Sequence, residues 1–179
     1  MTGRAMRIFG LAGWSGSGKT TLVVSLIPAL AARGIAVSTV KHAHHEFDVD
    51  QPGKDSYRHR EAGATEVMVA SERRWALMHE LHGAAEPPLE DLLRHMSSVD
   101  LVIVEGFKRS ALPKLEIHRP SLGKPLLAPD DSNIVAIASD MPVAGIGALP
   151  RFALDDAGAI ADFIIAHVGI EGAERGAAQ

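Results

Sequence analysis

The chain has 179 residues, of which 46% are apolar and 22% charged, with no cysteine and a formal net charge of −4. That length and apolar content predict one globular domain and exclude wholesale disorder. Zero cysteine excludes a disulfide framework, a cysteine-ligated zinc or iron–sulfur site and a thiol nucleophile.

Mild acidity without a basic stripe argues against nucleic acid as a partner. No apolar run approaches the ~18 residues that would cross a membrane, and Met1–Ala5 lacks the apolar core of a signal peptide. The expectation is a soluble, cytoplasmic protein with a single domain over residues 6–168 and flexible tails at 1–5 and 169–179.

In chain order, Arg7–Ala12 reads as a short buried strand closed by Gly13. Leu22, Val23, Leu26, Ile27 and Leu30 recur at helical spacing from Lys19 to Arg33, with Gly34 as the stop and Pro28 as an internal bend. Ala36–Lys41 is a second strand, His42–Gly53 a polar loop, and Lys54–Ala62 a short helix capped by Asp55 or Ser56. Glu66–Ala70 and Trp75–His79 are two extended runs joined as a hairpin. Pro87 and Pro88 open a helix with Leu89, Leu92, Leu93 and Met96 on one face.

Asp100–Val104 is apolar without alternation after its first residue, as a strand covered on both faces requires. Lys114–His118 alternates, Ile134–Ser139 is another buried strand, and the last helix spans about Asp156–Val168. Strands alternating with helices predict an α/β fold with a mainly parallel sheet between helix layers, and the hairpin is expected to make that sheet mixed.

Gly13-Trp14-Ser15-Gly16-Ser17-Gly18-Lys19-Thr20 matches G-x-x-x-x-G-K-[ST] and stands between a strand and a helix. Gly13, Gly16 and Gly18 permit backbone angles that turn successive N–H groups inward onto phosphate oxygens. The helix N-terminus adds partial positive charge, Lys19 reaches the terminal phosphates and the Thr20 hydroxyl suits Mg²⁺. The residues therefore predict binding of a nucleoside triphosphate.

A second acidic element belongs at the end of a neighbouring strand. Glu105 ends its strand whereas Asp100 begins it, so Glu105 is the candidate and Asp100 a boundary residue. Gly106 is expected to leave backbone room beside the triphosphate.

Lys41-His42-Ala43-His44-His45 and Gly53-Lys54-Asp55-Ser56-Tyr57-Arg58-His59-Arg60 concentrate polar function after the second strand. Lys41, Lys54, Arg58 and Arg60 suit a second phosphorylated ligand or the γ-phosphate. His42, His44 and His45 with Asp48 suit Zn²⁺ or Ni²⁺, and a solvated loop with a charged helix face is the plain alternative. Asp130-Asp131 beside Pro129 reads as a turn.

An ordered set of six segments goes further: 13–21, Lys41-His42-x-His44-His45, Gly53-Lys54-Asp55-Ser56-x-Arg58-His59, Ala62-Gly63-Ala64, Val104-Glu105-Gly106-Phe107-Lys108 and Pro113-Lys114-Leu115-Glu116. This set resembles the MobB family of molybdopterin-guanine dinucleotide biosynthesis adapters. The resemblance implies a three-layer P-loop NTPase fold, GTP and Mg²⁺ as ligands, weak GTP hydrolysis and a homodimer. It also implies partnership with the molybdenum cofactor guanylyltransferase that joins GMP to a molybdopterin-type cofactor.

On that reading Ser15–Thr21 (Ser15, Gly16, Ser17, Gly18, Lys19, Thr20 and Thr21) hold the phosphates, Thr20 and Glu105 serve Mg²⁺, and Lys54–Arg60 face the pterin phosphate or the partner enzyme. The sequence has no Asn/Thr-Lys-x-Asp to read guanine, so guanine preference is carried by the resemblance, with Ala138-Ser139-Asp140 as the expected base-edge segment; position 15 also lacks the lysine that would mark the dimer-activated relatives. No residue stands out as a base for the attacking water, which fits slow turnover. The alternatives are a small-molecule kinase, with Asp48 or Asp55 as base and Arg58 and Arg60 as lid cations, and a metal-delivery GTPase using His42–His45.

Overall fold

The structure is a computed structural model that describes residues 6–43, 47–107 and 110–170. By contacts the chain divides into two compact units, one of the residues up to His42 and from Met96 onward, the other Ala43–His95.

The first unit is a six-stranded sheet of β1 (Arg7–Ala12), β2 (Val37–Lys41), β5 (Leu101–Glu105), β6 (Lys114–His118), β7 (Ile134–Ser139) and β8 (Arg151–Ala153), with helices α1 (Lys19–Ala31) and α4 (Ala157–His167). The second holds α2 (Asp55–Glu61), a hairpin of β3 (Glu66–Ala70) and β4 (Trp75–His79), and α3 (Leu89–Arg94).

The strand order is β2-β5-β1-β6-β7-β8, and every pairing is parallel. The hairpin pairs only with itself and forms a separate two-stranded sheet, so the expectation of a mixed main sheet is corrected. The alternation that marked β3 and β4 as extended carries no information about which sheet receives them.

One face of the main sheet presents Phe9, Leu11, Leu101, Ile103, Leu115 and Ile117, all essentially buried, to Leu22, Leu26 and Leu30 of α1 and to Ile160 and Ile164 of α4. Burying each such side chain contributes about 1.5–3 kcal/mol, which is why these two helices hold their positions. Arg33, just past α1, donates from Nε and Nη2 to both carboxylate oxygens of Asp162 on α4 (2.6 and 2.9 Å) and so fastens the pair. Helix α1 continues through the position of Pro28. The hydrogen bond that Pro28 cannot make would fall on the carbonyl of Val24, a residue on the exposed side of the helix.

Strand β6 alternates polar and apolar residues, yet all five of them are buried. Its polar face is satisfied internally. The Glu116 carboxylate accepts the N–H groups of Leu127 (2.8 Å) and Ala128 (2.9 Å), and Lys114 donates to Asp131 (2.5 Å). These three bonds fasten the segment 119–133 to the strand.

Candidate functional site

The loop 13–18 leaves the C-terminal end of β1 and turns into α1. Three of its glycines have left-handed φ: Gly13 at 148°, Gly16 at 79° and Gly18 at 101°. At Gly13 a Cβ would come within 2.5 Å of the Ile117 carbonyl and 2.7 Å of Ser17 Oγ, so no larger residue fits against β6.

Gly18 is the N-cap of α1 and has no side-chain cap, which leaves the first-turn N–H groups pointing out of the helix. The Lys19 ammonium folds back to donate to the carbonyls of Gly13 (3.0 Å) and Trp14 (2.9 Å). Ser17 is buried, and its hydroxyl has no hydrogen-bond partner among the described residues. A helix N-terminus, an orphaned buried hydroxyl and the Lys19 ammonium around a glycine cradle form a donor set that phosphate oxygens fit.

Register brings the acid to this loop. Glu105, the last residue of β5, stands beside Leu11 of β1 and Lys41 of β2. Thr20 Oγ1 lies 3.4 and 3.5 Å from its two carboxylate oxygens, and Lys41 Nζ is 4.0 Å from Oε1. Two oxygen ligands side by side suit a hard cation such as Mg²⁺. Asp100, at the far end of β5, accepts the Ala36 N–H (2.9 Å) and fixes the entry to β2.

His42 donates its backbone N–H to the Glu105 carbonyl (2.8 Å) and its ring lies 5.0 Å from that of Phe107. The room at Gly106 (φ 112°) is therefore taken by His42, since a Cβ there would meet His42 Cβ at 2.7 Å; the expectation that the glycine makes space for the triphosphate is corrected.

His44 and His45 lie outside the described residues. Among the described residues no three His, Asp or Glu side chains gather as a metal site.

Within the second unit, Lys54, Asp55, Arg58 and His59 are exposed on or beside α2. Lys54 rather than Asp55 or Ser56 is the N-cap, and the Ser56 hydroxyl donates instead to Asp50 (2.8 Å). Arg60 has a different environment from its neighbours. It donates to Glu80 (2.9 Å) and to both oxygens of Asp48 (2.9 and 2.8 Å), with Asp50 at 3.5 Å. The Glu80 and Asp48 carboxylates hold its guanidinium pKa above the ordinary value. Its charge is thus matched within the unit. Asp48 is held below the usual carboxylate range, first by the Asp50 N–H and then by Arg60. So stabilised an anion is a weak proton acceptor, which disfavours it as the base of a kinase.

Sequence reading missed a clasp over the loop. Arg119, one residue past β6, donates from Nε to the Ser17 carbonyl (3.0 Å) and from Nη1 to Asp140 at the end of β7 (2.7 Å). Trp14 donates its indole N–H to the Pro125 carbonyl (2.8 Å), with the Lys124 ammonium 5.7 Å from its ring centre. A cation placed one residue beyond a strand on the ligand-binding edge was the available signal. Beside the first turns of α1 a cleft of ≈ 340 Å³ opens between Arg119, Ser139-Asp140 and Leu154-Asp155.

A glycine cradle with its lysine and threonine, faced by an acid from the adjacent parallel strand, defines a P-loop nucleotide-binding fold. The family model of MobB, molybdopterin guanine dinucleotide synthesis protein B, matches residues 8–140. A molybdopterin-guanine dinucleotide biosynthesis adapter protein of Escherichia coli (strain K12) is 44% identical over 169 residues, 92% of this chain and 95% of its own. Its counterpart in Haemophilus influenzae is 45% identical over 140 residues, 76% of each chain. A crystal structure of molybdopterin-guanine biosynthesis protein B superimposes with a TM-score of 0.69 at 28% identity, covering 89% of this chain and 99% of that one. The chain belongs to the MobB family.

Proposed function

We propose that the protein is an adapter in molybdopterin-guanine dinucleotide biosynthesis that holds GTP with Mg²⁺ and assists the guanylyltransferase in attaching GMP to the pterin cofactor. The observation that carries this is the assembled loop, in which Lys19, the orphaned Ser17 hydroxyl and the Thr20–Glu105 pair meet at one sheet edge, in a chain 44% identical to such an adapter.

Bound phosphates would take Lys19 from the Gly13 and Trp14 carbonyls, while the α1 N-terminus and loop amides neutralise the terminal charge. Mg²⁺ at Thr20 and Glu105 would supply further charge neutralisation at the phosphate oxygens. With water as acceptor and no evident base for it among the described residues, hydrolysis would be slow. On this reading Lys54, Asp55, Ser56, Arg58 and His59 offer the pterin phosphate or the partner enzyme a polar face, with Arg60 holding their unit together, and Lys41 and His42 flank the metal-binding acid.

A homodimer is part of the same reading. Met68, Ala70, Trp75 and Leu77 share one face of the hairpin by register, and Met68 and Trp75 are more than half exposed. An exposed apolar face of that kind suits burial against a partner copy.

Calorimetric titration with GTP and ATP, each with Mg²⁺, beside a Lys19→Ala control tests the nucleotide. GTP preference lost in the variant is expected, and a preference for ATP overturns the reading. Reconstituted GMP attachment, with and without the protein, tests the adapter role.

A further inference from the structure

We propose that the cleft beside α1 is the purine pocket and that Asp155 is the residue that reads guanine, with Arg119 as a positioning residue; this rests on the nucleotide reading above. The cleft begins at Gly18, the end of the phosphate cradle, and extends to the C-terminal tips of β7 and β8. A nucleotide with its phosphates in the loop therefore has its base at that end.

Guanine presents N–H donors at N1 and N2, whereas adenine presents an acceptor at N1. A carboxylate at the base edge thus accepts two hydrogen bonds from guanine and is repelled by the adenine ring nitrogen.

Two carboxylates face the cleft, and the structure separates their tasks. Asp140 is bound by Arg119, which also grips the Ser17 carbonyl, so this pair ties the pocket wall to the phosphate loop. Asp155 makes no hydrogen bond or ion pair with any described residue. Its backbone is nonetheless fixed from both sides. The Leu154 N–H bonds the Ser139 carbonyl (3.1 Å), and Asp156 caps α4 by accepting the Ala159 N–H (2.9 Å). An unengaged acid on an anchored backbone at the mouth of a pocket has the preorganisation that base recognition needs.

The test measures calorimetric affinities for GTP, ATP and XTP, each with Mg²⁺, in the full-length wild type, D155N, D140N and K19A. Xanthine carries a carbonyl at position 2, so an amide in place of the carboxylate donates to it while still accepting the N1–H. D155N is expected to weaken GTP at least tenfold and to prefer XTP, a gain that a merely damaged fold does not produce. The assignment is overturned if D155N binds GTP within twofold of wild type, if it loses GTP without gaining XTP, or if D140N shows the switch instead. If wild type shows no Lys19-dependent GTP binding, the nucleotide reading fails and the pocket falls with it. GTP binding retained in wild type with no switch in D155N removes the pocket assignment alone.

Discussion

Gly106 illustrates how one missing methyl group organises the site. Its positive φ and its contact with His42 leave no space for a side chain, and it directly follows Glu105, the acid that faces Thr20. G106A should destabilise the fold by about 2–3 kcal/mol, from φ strain plus the displaced histidine, measurable as a lower midpoint in urea. Asp131 gives a second residue-level test. Burial opposes its ionisation, but Lys114 and the Asn133 N–H and amide outweigh that, and the carboxyl titrates below its usual value. A folded pKa below the unfolded one means that the stabilisation is complete above pH ~4 and is lost as pH falls through the folded value. Urea midpoints from pH 6 down to 2.5 should show wild type well above D131N at the top of that range, with the difference closing below pH 4.

Among the elements, the segment 119–133 governs the loop although it contains little regular structure. Glu116 pins it at Leu127 and Ala128 while Arg119 and Trp14 connect it to the cradle. E116A would leave two part-buried N–H groups without their acceptor and should cost about 2–4 kcal/mol. It should also weaken nucleotide binding, because the clasp loses its anchor, and calorimetry beside a urea titration separates the two effects. Most elements were legible beforehand: β1, β3, β4, β6 and β7 fall where their apolar patterns place them, and the cradle declares itself through glycine spacing. Strand β8 was not legible, because three residues between Pro150 and Leu154 carry no period. Arg119 and Asp155 were missed for a related reason: each follows a strand end, and only the parallel order of the sheet brings those ends to one edge.

For the whole molecule, the division into two units separates two kinds of chemistry. The cradle, its acid and the cleft belong to the sheet unit, whereas the exposed cations of α2 and the apolar hairpin face belong to the other. The homodimer reading makes a direct prediction at this scale. A charge placed on that face, as in W75E, should yield a monomer by sedimentation equilibrium while GTP affinity stays within threefold of wild type. A homodimer that survives W75E would move the contact to another surface.

The chain holds two tryptophans, Trp14 in the phosphate cradle and Trp75 on the hairpin. The indole of Trp14 is tethered to Pro125 with a lysine over its ring, and its own carbonyl receives Lys19, so loading of the cradle alters the electric field at that chromophore. In W75F all tryptophan emission comes from the cradle, and in W14F all of it comes from the hairpin. One fluorophore thus stands at each of the two proposed events, and stopped-flow mixing of the paired variants would time loading and assembly separately without any added dye.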